Sequence, residues 1–121
     1  VAVDAESVWV GPVDGSGVTR IIDFVAGGYG YGLTIDKENE KIFFDNFWDG
    51  VIMTSNLDGT GIETFTSTAG RVYGIAIDNT NGKVYWSDDG TGDIRMANLD
   101  GSNIVDLAVG LDGPKGIFYI E

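Results

Sequence analysis

The sequence contains neither cysteine nor histidine. Their absence removes disulfides, thiol nucleophiles, thiolate metal sites and imidazole acid–base chemistry together. It does not fix a compartment, because a secreted chain need not contain cysteine. Proline is scarce, with 2 residues, and bases are few, with 7 Lys and Arg against 19 Asp and Glu. The net charge of −12 repels phosphate backbones and anionic lipid. Neither nucleic acid nor a membrane is therefore an expected partner, and the acidic surplus reads as solubility. No apolar run approaches the roughly 18 residues of a membrane-spanning helix. The first residue is not Met and no basic-then-apolar leader follows it, which suggests a mature, trimmed or engineered product.

What is present is glycine, 19 residues of it, and 43% hydrophobic residues broken into many short runs. That combination predicts a folded all-β domain with frequent tight turns. The length of 121 residues suits one domain, 1–121.

An internal repeat organises the chain. Shifted by 42 residues, positions 31–72 lie on 73–114 without a gap, and 13 of the 42 pairs are identical. The identities fall on punctuation: Gly32 and Gly74, Asp36 and Asp78, Asn56 and Asn98, Asp58-Gly59 and Asp100-Gly101. Each unit reads as four strands, A to D: "GLTID" or "GIAID", "KIFFD" or "KVYWS", "VIMTSNL" or "DIRMANL", "IETFTS" or "IVDLAV". "DNTNGK" and "LDGS" supply hairpin turns that need positive φ. A four-stranded unit recurring every 40-odd residues is the mark of a β-propeller blade.

The ends follow from the same alignment. "SVWVGPVDGSGV" (7–18) matches "DIRMANLDGSNI" (93–104), and "VAVD" (1–4) takes the place of "YWSD" (85–88). The strand order is therefore BCD-ABCD-ABCD-A. Blade 1 comprises 1–26 plus the C-terminal strand 116–121, blade 2 is 32–68, and blade 3 is 74–110. Three blades in an open run leave two apolar faces and unpaired edges in water. Rings of 4–8 blades are usual, and six is the multiple of three in that range. The expected assembly is a homodimer forming one six-bladed ring. Gly116, Ile117, Phe118, Tyr119 and Ile120 of each copy would complete the B-C-D sheet of the other.

The stretch 84–117 resembles the YWTD repeat, also called the low-density lipoprotein receptor class B repeat. The resemblance rests on Tyr85-Trp86-Ser87-Asp88, on Leu99-Asp100-Gly101, and on Gly110-Leu111, Pro114 and Gly116-Ile117. In the middle blade "FFDN" (43–46) replaces the name-giving motif, and in the first only "VAVD" stands there. The resemblance implies a six-bladed propeller, usually extracellular, that binds proteins rather than catalysing a reaction. NHL-type repeats are a related alternative. The family typically carries six blades in one chain beside Cys-rich modules, so receptor function does not transfer to these three blades. A half-propeller of environmental, viral or engineered origin fits them better.

Candidate site residues come from the loops. In propellers the D-to-A and B-to-C loops share one face. Here that face would collect Tyr29, Tyr31, Arg71, Tyr73 and Lys115 from the former and Phe47 and Trp48 from the latter. Phe47 and Trp48 have polar counterparts in "DDGTGD" (88–93), so the blade template does not demand them. Aromatics and Arg on a loop face suit a protein or small-ligand site. A lid over the blade core is the structural alternative. Tyr85, Trp86 and Asp88 read as blade core and sheet lock. The carboxylates of 88–93 invite calcium but lack the spacing of an EF-hand loop. Asp36 and Asp78 read as turn caps rather than a cation ring. "GGYGYG" (27–32) has the glycines of a phosphate loop without its Lys or helix. The expectation is a non-catalytic binding or structural module without a cofactor. Its rivals are a scaffold whose only property is assembly and a metal-dependent hydrolase-like propeller.

Overall fold

The computed structural model describes residues 2–3, 7–23, 30–46 and 50–120. Eleven strands are found among them. They are β1 (Ala2–Val3), β2 (Ser7–Val10), β3 (Thr19–Asp23), β4 (Leu33–Asp36), β5 (Lys41–Asn46), β6 (Val51–Asn56), β7 (Glu63–Ser67), β8 (Ile75–Asp78), β9 (Lys83–Asp88), β10 (Asp93–Asn98) and β11 (Val105–Ala108). They form three antiparallel meanders: β1-β2-β3, β4-β5-β6-β7 and β8-β9-β10-β11. Among the described residues the first has no counterpart of the inner strand that β4 and β8 supply to the other two.

The blades repeat in register as well as in order. Ala2 pairs with Trp9 and Val3 with Val8, as Trp86 pairs with Arg95 and Ser87 with Ile94. All three carry an irregularity at one place between strands C and D, after Val8, Ile52 and Ile94. The C-D turns are alike too. Asp14, Asp58 and Asp100 accept from the backbone N–H of Ser16, Thr60 and Ser102 at 2.9 Å, and from their hydroxyls at 2.5–2.7 Å. These bonds, the hydroxyl's above all, hold the three carboxyls below the usual range. Gly59 and Gly101 follow at φ 87° and 88°, which a residue with a Cβ resists.

Strand alternation divides the apolar side chains between two seams. Ile42 and Phe44 of β5 join Val8 and Ile22 in the seam between blades 1 and 2. Phe43 faces the other way and joins Ile52, Val72, Ile75, Val84, Trp86 and Ala97 between blades 2 and 3. Phe65 lines this second seam, edge-on to Phe43 at 5.1 Å and to Trp86 at 6.2 Å. Burying each large side chain contributes about 1.5–3 kcal/mol.

The C-D hairpins are cross-braced from strand B. Lys41 donates to Asn56 Oδ1 at 2.6 Å, and Lys83 donates likewise to Asn98. Asp36 caps its own turn by accepting from Asn39 N–H and Asn39 Nδ2, and it accepts from Asn79 of the next blade at 2.6 Å. Burial works against its charge, but these bonds prevail and lower its pKa. Asp78 caps the equivalent turn through Asn81.

The segment 116–120 is not a strand within the single chain. It lies beside blade 3, where an inner strand of a following blade would run. A Cβ on Gly74 would meet Lys115 O at 2.5 Å, much as one on Gly32 would meet Val72 O at 2.6 Å. Tyr119 stacks on Tyr85 at 6.2 Å with the rings 6° from parallel. Phe118 and Ile120 are 89% and 87% exposed. Among the described residues nothing pairs this segment with β1.

Candidate functional site

Tyr31, Tyr73 and Lys115 occupy one position in successive units, each 42 residues after the last. The structure brings them together at the lead-in to the inner strands. The Tyr31 and Tyr73 rings lie 4.8 Å apart at 40°. The Lys115 ammonium sits 3.9 Å from the Tyr73 ring centroid, a cation–π contact. Tyr31 and Lys115 are exposed and Tyr73 is half-buried. The arrangement offers two phenol hydroxyls, aromatic faces and a cation to one side of the molecule.

Bonds between strand side chains and the loop main chain fix this row. Ser87 on β9 accepts from Gly74 N–H at 3.2 Å and donates to Lys115 C=O at 2.6 Å. Asp45 on β5 accepts from Tyr31 N–H at 3.3 Å. Asp88 accepts from Ala69 and Gly90 N–H at 2.9 and 3.0 Å, locking the 69–71 loop to the 88–92 loop. There the backbones of Gly70 and Gly90 approach so closely that a Cβ on Gly70 would lie 2.2 Å from Gly90 N. Both carboxylate oxygens of Asp88 thus serve the loops, as a sheet lock requires.

Among the described residues Asp45 is the one strongly perturbed acid of the site. It is fully buried, and burial above all, with the charge of Asp88 beside it, pushes its pKa up to about 7. Hydrogen bonds from the backbone of Tyr31 and Val72 pull the other way and do not offset it. The alignment carries a signal for this residue in the mismatch of Asp45 with Ser87, at a position that is otherwise pure strand.

Of the other expected residues, Arg71 is exposed on the same loop, and its C=O accepts from Asp89 N–H at 3.0 Å. Tyr29, Phe47 and Trp48 lie outside the described residues. A groove of about 420 Å³ runs along the inner strands between Leu33, Thr34, Ala76 and Phe118. In the 88–93 stretch Asp88 and Asp93 are buried. Among the described residues no group of three or more acidic side chains converges as a metal site would require.

No protein-family model and no curated protein sequence matches the chain. Solved structures do. One is a nidogen/laminin complex, matched at 21% identity and a TM-score of 0.87 over 96% of this chain and 46% of that one. Another is a putative TolB from Agrobacterium tumefaciens, at 20% identity and a TM-score of 0.72 over 90% of this chain and 44% of that one. The chain spans a little under half the length of each. At these identities the likeness speaks to fold, and the fold is that of a β-propeller.

Proposed function

We propose that the chain is a non-catalytic binding module that closes, with a second copy, into a six-bladed ring. The observation that carries this reading is the outer face of blade 3. Tyr85, Ile94 and Leu107 stand where Phe43, Ile52 and Phe65 stand one unit earlier. Phe43 and Ile52 are 2% and 0% exposed in their seam, whereas Leu107 is 53% exposed. Leu107 thus belongs to a seam-type surface that no blade covers among the described residues, while Tyr85 and Ile94 are half-buried. Blade 1 presents its opposite face with Trp9, against which Arg20 rests at 5.7 Å. In a two-fold ring each such face meets the other kind on the partner, and 116–120 of one copy lies along β1 of the other. The shares of the two solved structures, both near one half, agree with three blades out of six.

The ring would carry the Tyr31–Tyr73–Lys115 row twice around one mouth, making that face the binding surface. A protein ligand is favoured, because the rings and ammonium form an open surface rather than an enclosed cavity, and because the nidogen structure is itself a complex with laminin. With neither His nor Cys, catalysis there would rest on Asp, Tyr and Lys alone. Light scattering over a dilution series tests the assembly: twice the mass of the 12.9 kDa chain is expected. A constant monomer mass would overturn it. A panel binding test with Tyr73→Ser and Lys115→Glu separates a binding module from a bare scaffold. A ligand lost with either change supports the module, and ligands indifferent to both oppose it.

A further inference from the structure

Both internal seams are closed at the rim by the same contact, and the repeat supplies the parts of a third. In strand D of each blade one residue drops out of the ladder at the irregularity: Ile21, Phe65 and Leu107. The C-D turn of the following blade lies against that residue. A Cβ on Gly59, in the turn of blade 2, would meet Ile21 O of blade 1 at 2.3 Å, and one on Gly101, in the turn of blade 3, would meet Phe65 O of blade 2 at 3.4 Å. Among the described residues the third turn and the third strand residue have no such neighbour. A Cβ on Gly15 would meet nothing within 4 Å, and Leu107 is more than half exposed. The turn is still built to the common pattern. Gly15 N–H donates to Pro12 O at 3.0 Å, as Gly59 N–H does to Asn56 O at 3.0 Å and Gly101 N–H to Asn98 O at 2.9 Å.

The side chain ahead of each turn shows what the contact holds in place. Leu99, just before Asp100-Gly101, packs on the core between blades 2 and 3. It lines a groove of about 400 Å³ with Phe43, Thr54, Glu63 and Phe65 of blade 2. Val13 stands in the place of Leu99, before Asp14-Gly15, and is fully exposed. On blade 3 the residues 42 positions after those four are Tyr85, Met96, Val105 and Leu107. Met96 pairs with Val105 and lies two residues from Ile94, so these side chains share the open face. Thr54 and Glu63 line the groove that blade 3 covers; their counterparts on the uncovered face are Met and Val. The face left open is thus more apolar than the equivalent face that is closed, which marks an interaction surface.

We propose that the C-D turn of blade 1 is the docking element for a second copy: Val13 enters the groove formed by Tyr85, Met96, Val105 and Leu107 of the partner subunit, and Gly15 lets the turn lie against the partner's Leu107. The occupant is a copy of this chain because turn and groove are the two halves of a contact that the chain already makes twice with itself, set at opposite ends of one run of three blades. Each copy offers one turn and one groove, so a pair closes through two identical contacts. The docking rests on the two-copy ring and names the residues that decide how tightly it closes.

The test is sedimentation velocity on the full chain over a dilution series, with two substitutions and their combination. Val13→Lys lies on an exposed turn, so folding of the blade is not at stake. It sets a cation into both grooves and should raise the dimer dissociation constant by about tenfold or more. Val105→Glu installs the residue that blade 2 carries at 63, which the blade accommodates, and should weaken the dimer by a smaller factor. In the chain carrying both, each introduced ammonium meets the partner's introduced carboxylate, and the dimer should be about fivefold tighter than with Val13→Lys alone. Losses that simply add would overturn the docking while leaving the ring standing. A natural chain that stays a monomer at every concentration would overturn both. Mixing the two single variants gives a dimer with one charge-paired junction and one natural junction. Native mass spectrometry should find that mixed dimer above its random share, and a random distribution would count against the docking.

Discussion

Trp86 is the largest side chain of the seam between blades 2 and 3, and it is fully buried. Its indole Nε1 has no hydrogen-bond partner among the described residues. Two substitutions separate packing from polarity. Trp86→Ala removes the ring, its edge contact with Phe65 and the atoms that fill the seam; such truncations cost about 3–5 kcal/mol. Trp86→Phe keeps an aromatic ring in place and loses some contact area, but it also removes a buried donor whose lack of a partner costs about 1–3 kcal/mol. The two effects of the Phe change oppose each other, so its net cost should stay below about 1.5 kcal/mol. For a domain of this size the Ala variant should melt roughly 10–20 °C lower and the Phe variant only a few degrees lower. Thermal unfolding at one fixed protein concentration reads both, since a dimer's melting point moves with concentration. Equal losses for Phe and Ala would show that the indole N–H is satisfied and that the seam has been misread.

Leu107→Asp should split the assembly. It sets a carboxylate in both copies of the open seam, where an unpaired buried charge costs several kcal/mol, so the mass by light scattering should halve at micromolar protein. Unchanged mass would place the interface elsewhere. Gly59→Ala should destabilise more than Gly101→Ala. Both positions have positive φ, but the new methyl meets Ile21 O at 2.3 Å in the first and nothing nearer than 3.4 Å in the second. Denaturant midpoints decide, and equal losses would contradict the contact between the C-D turn of blade 2 and blade 1. Stability should peak in mild acid. Asp45, raised to about 7, contributes at low pH and loses that contribution as pH climbs from about 4 toward 7. Asp14, Asp36, Asp58, Asp78 and Asp100 are lowered, so their contribution is present above the usual carboxylate range and fades as pH falls below it. A maximum at neutral or alkaline pH would contradict this balance.

The blade order was legible because turns repeat more faithfully than strands. Asp58-Gly59-Thr60 and Asp100-Gly101-Ser102 need one side-chain oxygen and one positive φ at fixed offsets, so their chemistry survives while strand residues drift. Tyr31, Tyr73 and Lys115 were grouped from the sequence only as residues of the D-to-A loops, together with Tyr29 and Arg71; their ring distance and the cation–π contact needed coordinates. The burial of Asp45 was not legible. A polar residue in "KIFFDN" reads as the end of a strand, and only the coordinates show it buried and accepting from Tyr31 N–H. Arg71 was grouped with the tyrosines by position; the structure keeps it on that loop but ties it in through its carbonyl.

The chain's lack of cysteine allows a direct test of ring closure. Ile75 pairs with Trp86 in blade 3, so the equivalent residues Ile117 and Ala2 should be opposite one another across the proposed junction. Opposed strand positions lie about 4.5–5.5 Å apart at Cα, within reach of a disulfide. A protein carrying both Ile117→Cys and Ala2→Cys, oxidised at low concentration, should run on a non-reducing denaturing gel as a covalent dimer that reduction returns to monomer. A monomer locked by an internal disulfide would mean that the chain closes on itself, and the two-copy ring would be wrong.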